Sequence, residues 1–198
     1  MRPRSLPRRQ DGIVLMVALI MLVAMSLAGV ALMRSVETAV MVAGNFAFKE
    51  SAVLSTDQGV QSAAGWVGLT NKNSPASLYN DNPALGYFSS LPSVDPDFFD
   101  DGAWAQSVSV NGGAPDAAGN RVRYVVHRMC SLSGLNWSDP DNECMVQMTS
   151  AAEGEGYSNK PGAPPPLALP ILYYRVTTRV DGPRNTVTIS QTSLAQKI

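Results

Sequence analysis

Cys130 and Cys144 are the only thiols in the 198 residues, and His127 is the only histidine. Two cysteines and one histidine make a poor zinc set, because a structural zinc takes four such ligands. A nucleophile–histidine–acid triad needs an imidazole next to both partners, and no spacing around His127 selects either, so His127 reads as structural. Asp139, Asp141 and Glu143 alternate like the start of a calcium loop. Cys144, however, stands where that loop needs glycine, and Ser150 where it needs a bidentate glutamate. Asp95, Asp97, Asp100 and Asp101 cluster around Phe98 and Phe99. Both acidic groups read as solvated loops, with Ca²⁺ as the competing reading. Gly112–Gly113 and Gly154–Gly156 lack phosphate-loop spacing and a following Lys-Ser/Thr. Trp66, Trp104 and Trp137 are scattered and read as packing residues. The residue pattern therefore predicts no catalytic site, no cofactor and no metal, and points away from an enzyme.

The elements that position these residues begin with an apolar run. Arg2, Arg4, Arg8 and Arg9 precede Gln10-Asp11-Gly12, and the stretch from Ile13 to Met33 then carries no charge. As a helix this run is about 32 Å long, against a hydrocarbon core of about 30 Å. The basic residues ahead of the span predict a cytoplasmic N-terminus, with the bulk of the chain on the outer side of the membrane. A cleaved secretory signal competes, and Ser26-Leu27-Ala28 would pass as its cleavage site. Its apolar region, though, normally runs only about 7–15 residues. With the four arginines and one acid of residues 1–12 set aside, 11 basic and 15 acidic residues remain. This acidic balance argues against nucleic acid as a partner. In an exported chain an isolated cysteine pair reads as a disulfide, Cys130–Cys144.

Helical periodicity continues past Arg34. Val36, Val40, Ala43, Ala47 and Leu54 recur at helical steps, which predicts one helix from Ile13 to about Ala64. Gly59, Gly65 and Gly68 should weaken its end, and Gly44-Asn45 should be a soft point within it. Residues 71–120 are rich in Asn, Ser, Pro, Asp and Gly and read as loop, with one strand at 105–110. Residues 121–129 and 145–150 read as strands, and 154–170 as a Gly/Pro loop. Residues 171–180 and 186–192 flank Asp181-Gly182-Pro183, a hairpin signal. The expected fold is α+β: a long N-terminal helix, apolar in its first half and amphipathic in its second, packed on a four- or five-stranded antiparallel sheet.

Three stretches carry a family resemblance. GIVLMVALIMLVAMSLAGVALMRS (12–35) with AGN (43–45), RYVVHRMC (123–130) and YYRVTTRVDGPRNTVTISQT (173–192) resemble type IV pilin precursors. More narrowly they resemble the PilX-type minor pilins that assist pilus assembly. The resemblance implies a leader peptide over residues 1–12 and a transmembrane and fibre-core helix over 13–33. It further implies an amphipathic continuation over 34–70 and a periplasmic β-rich head with a C-terminal hairpin over 71–198. A prepilin peptidase would cut between Gly12 and Ile13 and N-methylate Ile13. Major pilins usually begin with Phe, so Ile13 is a departure, and they carry glutamate at the fifth mature position, where this chain has Val17. That glutamate pairs with the amine of the subunit added before it, so its absence implies a place at or near the fibre tip. The implied partners are other minor and major pilins, a tip adhesin and the inner membrane. Three rivals remain: a type II secretion tip pseudopilin, which typically carries a larger inserted domain; a membrane-anchored periplasmic enzyme; and a secreted protein beginning near Gly29.

Overall fold

The computed structural model describes residues 12–148 and 170–198. Its secondary structure is α+β, with one helix, α1 (Ile13–Asn73), and six strands. The strands are β1 (Tyr87–Phe88), β2 (Val108–Ser109), β3 (Arg121–Arg128), β4 (Val146–Met148), β5 (Pro170–Gly182) and β6 (Thr186–Lys197). The chain divides into two compact units, Met1–Ala47 and Phe48–Ile198.

In the first unit α1 is a single helical stretch with no buried residue. It is long and apolar enough to cross a membrane. Ile13, Leu15, Leu22, Met25 and Met33 are each at least two-thirds exposed. Burying such a surface against water-free surroundings is strongly favoured, at about 25 cal/mol per Å².

The second unit, the head, holds the rest of α1 and the whole sheet. The helix outlasts its expected end near Ala64 and stops at Asn73, two positions before Pro75. Proline lacks an amide hydrogen and disfavours helix in the residue before it, so it ends the helix where the glycines do not. The expected stripe also differs. Val36, Val40 and Leu54 are exposed, and the buried face is Ala52, Ser55, Thr56, Gly59, Ala63 and Val67.

These residues are small because the helix lies close on the sheet. A Cβ built on Gly59 would sit 2.5 Å from Thr178 Cγ2 and 2.8 Å from its Oγ1, and Thr178 is itself fully buried. Gly59→Ala gains about 1 kcal/mol of helix propensity but must push the helix off the sheet, at about 1–3 kcal/mol. The net expectation is a less stable head. Denaturant unfolding in which G59A matches or exceeds the parent would refute the close contact.

The sheet has six strands and is mixed, where four or five antiparallel strands were expected. Along the order β1-β3-β5-β4, β1 is parallel to β3, β2 is antiparallel to β3, and β6 is antiparallel to β5. The strand expected at 105–110 shrinks to Val108–Ser109, and the short β1 had no sequence signal at all. The C-terminal hairpin forms and is longer than expected, pairing Ile171 with Lys197 through Gly182 with Thr186. Its left-handed residues are Arg184 and Asn185 (φ 56° and 57°), so Asp181-Gly182 stay in the strand. The main core joins Ala63 and Val67 to Tyr87, Tyr124, Val126, Tyr174 and Val176. Trp66 meets Tyr87 with ring centroids 5.1 Å apart.

Candidate functional site

At the start of the described chain Gly12 has φ +136°, a value that disfavours any side chain, and α1 begins at the next residue. The amide of Met16 donates to the Gly12 carbonyl at 3.3 Å, which makes Gly12 the residue that opens the helix. Ile13 and Val17 both lie exposed on the helix, Val17 at 48%. Residues 1–11 fall outside the described residues. The Gly12–Ile13 bond thus lies at a change from non-helical to helical backbone.

The sheet face away from α1 explains the acidic residues around Phe98 and Phe99. Arg123 faces Arg179 across β3 and β5, and His127 faces Arg175. Like charges directly opposite are destabilising, and acids bridge Arg123 and Arg179 here. Asp181 contacts Arg123 at 2.8 Å and Arg179 at 2.9 Å, and Asp101 lies 2.7 Å from Arg179. Asp95 lies 2.7 Å from Arg175. Trp104 is buried beneath, with the guanidinium carbons of Arg123 and Arg179 each 5.9 Å from its ring centroid. Asp95 and Asp101 are therefore solvent-exposed, as expected of a loop, and also serve as counter-charges to the sheet. Asp97 closes a local turn by accepting from the Phe99 amide.

His127 stacks on Phe88, with ring centroids 4.9 Å apart and planes 15° apart, and is only 7% exposed. Burial first, and then the Arg175 charge, push its pKa down to about 4. The imidazole is therefore neutral at pH 7, and its Nδ1 has no hydrogen-bond partner among the described residues. Asp95 and Asp81 are the acids whose charge reaches the ring, and both favour its protonated form.

The two cysteines are joined, Cys130 to Cys144, just beyond β3 and just before β4. Asp139 accepts from the Asp141 amide at 3.0 Å, an Asx turn in the disulfide loop, while Asp141 and Glu143 are exposed. Among the described residues no group of three or more His, Cys, Asp or Glu side chains is placed to hold a metal ion. Gly154–Gly156 and Ser150 lie outside the described residues.

Two clusters escaped the sequence. Asn120, 1% exposed, donates to Ser51 Oγ and Ser55 Oγ on α1, and Ser55 donates to Asp116 Oδ2 at 2.8 Å. Desolvation would raise the Asp116 pKa. Donors from the Asn120 amide, Ser55, the Asn120 side chain and the Ala118 amide outweigh it and hold the carboxyl below its ordinary value. This network ties the loop before β3 to the helix, and its only sequence trace is an unremarkable Asp-x-x-x-Asn.

The second cluster surrounds Arg128, which is 1% exposed at the end of β3. Its Nε donates to Ser89 O, its Nη2 donates to Leu135 O at 2.9 Å, and its guanidinium lies 5.9 Å from the Tyr79 ring centroid. A basic residue closing a β-branched run was the one available hint.

Neither unit brings the candidate chemistry together. Cys130–Cys144, His127 and the acids belong to the head's own architecture, and the Gly12–Ile13 junction stands with the exposed apolar helix. No family model matches the chain, and neither does any curated protein or solved structure.

Proposed function

We propose that the chain is a pilin-like subunit, a minor pilin that takes part in type IV pilus assembly through its N-terminal helix. The observation that carries this reading is the coincidence at Gly12–Ile13. The residue resembling a prepilin leader glycine opens the helix, and the stretch that follows, Ile13 to Met33, is uncharged and unburied. In this reading the segment waits in the inner membrane and then moves into a helical fibre core, shielded from water in both places. The head takes the periplasmic and then extracellular position and meets other minor and major pilins and a tip adhesin. No catalytic residue is assigned. A disulfide-closed head suits that compartment, where such bonds persist.

Mass spectrometry of the mature protein from its native host tests the reading. The expected result is loss of residues 1–12 and a methylated Ile13. An intact Met1 or an N-terminus near Gly29 would overturn it. The position at the tip rests on Val17, since a carboxylate in the span would be expensive, at about 2.5–3.5 kcal/mol, without a partner amine. Val17→Glu is expected to move the subunit away from the tip and to lower the number of pili initiated. Unchanged labelling along the fibre would reject that placement.

A further inference from the structure

A cavity of about 250 Å³ opens in the head between the end of α1, the turn at 75–79 and the ends of β3 and β5. Its lining is mostly apolar or aromatic, with Leu78, Tyr79, Trp137, Leu172 and Ile198; of its polar side chains, Asn71 already donates to the Lys197 carbonyl, which leaves Arg128 and Tyr174. Both are almost completely buried, Arg128 at 1% and Tyr174 at 0% exposure.

Neither has its bonding capacity filled. Arg128 directs Nε to one carbonyl and Nη2 to two, and Nη1 donates to nothing among the described residues. The Tyr174 hydroxyl is buried without a hydrogen-bond partner among the described residues. The ion pairs among the described residues involve Arg123, Arg175 and Arg179, so Arg128 has no carboxylate partner there. A buried guanidinium lacking a counter-charge is costly, and so is a buried hydroxyl with no acceptor.

Two donors beside one apolar chamber call for an acceptor-only, negatively charged head on a small apolar body. A carboxylate has that form: its two oxygens can accept from Arg128 and Tyr174 together, in the strong charge-assisted geometry. A phosphate would add charge and oxygens that Leu78, Leu172 and Trp137 cannot satisfy. Drug-sized pockets start at about 300 Å³, and this chamber is smaller, so its occupant is the size of one side chain. We propose that this cavity is a binding site for a compact carboxylate, held by Arg128 and Tyr174 and packed against Trp137, whether the acid is free in solution or displayed on a peptide. The site is independent of the pilin-like reading, which could fail at the N-terminus and leave it intact.

Isothermal titration of the full chain in detergent micelles tests it with three probes: benzoate, its neutral isostere benzamide, and N-acetyl-Ala-Glu-Ala-amide. Tyr174→Phe is the main variant, because the hydroxyl it removes has no partner among the described residues, so its loss breaks no hydrogen bond there. It also cancels partitioning of the probe into micelles. The expected result is benzoate binding with a Kd at or below about 1 mM, weakened about tenfold in Y174F, with benzamide not bound. Arg128→Gln should abolish binding, but it also strips a buried group, so Y174F decides. Binding of the glutamyl peptide without benzoate supports the site and makes its source a polypeptide. Equal benzoate affinity in Y174F, equal binding of benzamide, or no binding of any probe at about 10 mM would overturn the proposal and leave a cavity that holds only water.

Discussion

Replacing both cysteines by alanine is expected to lower the unfolding free energy of the head by about 3 kcal/mol, the loop-closure entropy of a ring of about 15 residues. The bond joins residues 14 apart, and its loop is not a passive strap. Leu132 and Leu135 offer their carbonyls to Arg128, and Trp137 packs on the main core. Asn142, 5% exposed, accepts from the Leu132 amide at 3.0 Å and donates to the Asn136 carbonyl at 3.1 Å, so part of the loop's shape survives without the bond. Alanine is preferred to serine for the test, because Cys130 is 1% exposed and a hydroxyl there would be buried at a cost. Urea unfolding of C130A/C144A against the parent reads the difference. A loss under about 1 kcal/mol would show that the loop's internal hydrogen bonds already restrict the unfolded chain as the disulfide does.

The second large effect is acid sensitivity centred on His127. Its ordinary pKa is 6.5, and burial with Arg175 nearby lowers it to about 4 in the folded head. Between those values the unfolded chain binds the proton and the folded one does not, so stability rises with pH across the window. The contribution is whole above pH 6.5, declines as pH falls through that value, and is exhausted below about 4. At about 1.4 kcal/mol per pKa unit the loss approaches about 3 kcal/mol. Asp95 and Asp81 work in the opposite direction by favouring the charged imidazole, but they are outweighed. His127→Leu removes the titration, so the stability difference between parent and H127L should change by about that amount between pH 7 and pH 4. Parallel pH profiles for the two proteins would show that His127 opens to solvent on protonation at no cost. Asp116 adds its own acid loss as pH falls from its ordinary value of 3.8 toward its lowered folded pKa.

Both effects were half legible in the sequence. The disulfide followed from two cysteines in a chain whose apolar N-terminal run is long enough to cross a membrane, because the composition offers no competing ligand set. His127 could be seen to lie in a strand, yet its neutrality depends on Arg175 facing it and on Phe88 lying over it, both far from it along the chain. The acids at 95–101 looked solvated and nothing more, because a local reading cannot see the arginines they neutralise. Those arginines alternate along β3 and β5 on the face away from α1, and only antiparallel pairing sets Arg123 opposite Arg179.

The sequence by itself determined the elements whose causes are local. A charge-free run sets a membrane-length helix, β-branched runs set β3 and β5, and a proline-bearing turn between two such runs sets the terminal hairpin. Each needs only periodicity and short-range sterics. The tertiary structure alone decided which helix face is buried. Ala52, Ser55, Gly59 and Ala63 are buried where larger residues of the helix are exposed, and at Gly59 the contact distance to Thr178 leaves no room for a side chain. It alone also added the parallel β1 strand, the Asn120 tie and the Arg128–Tyr174 cavity, which arise where segments distant in sequence leave polar groups facing one another out of reach of water.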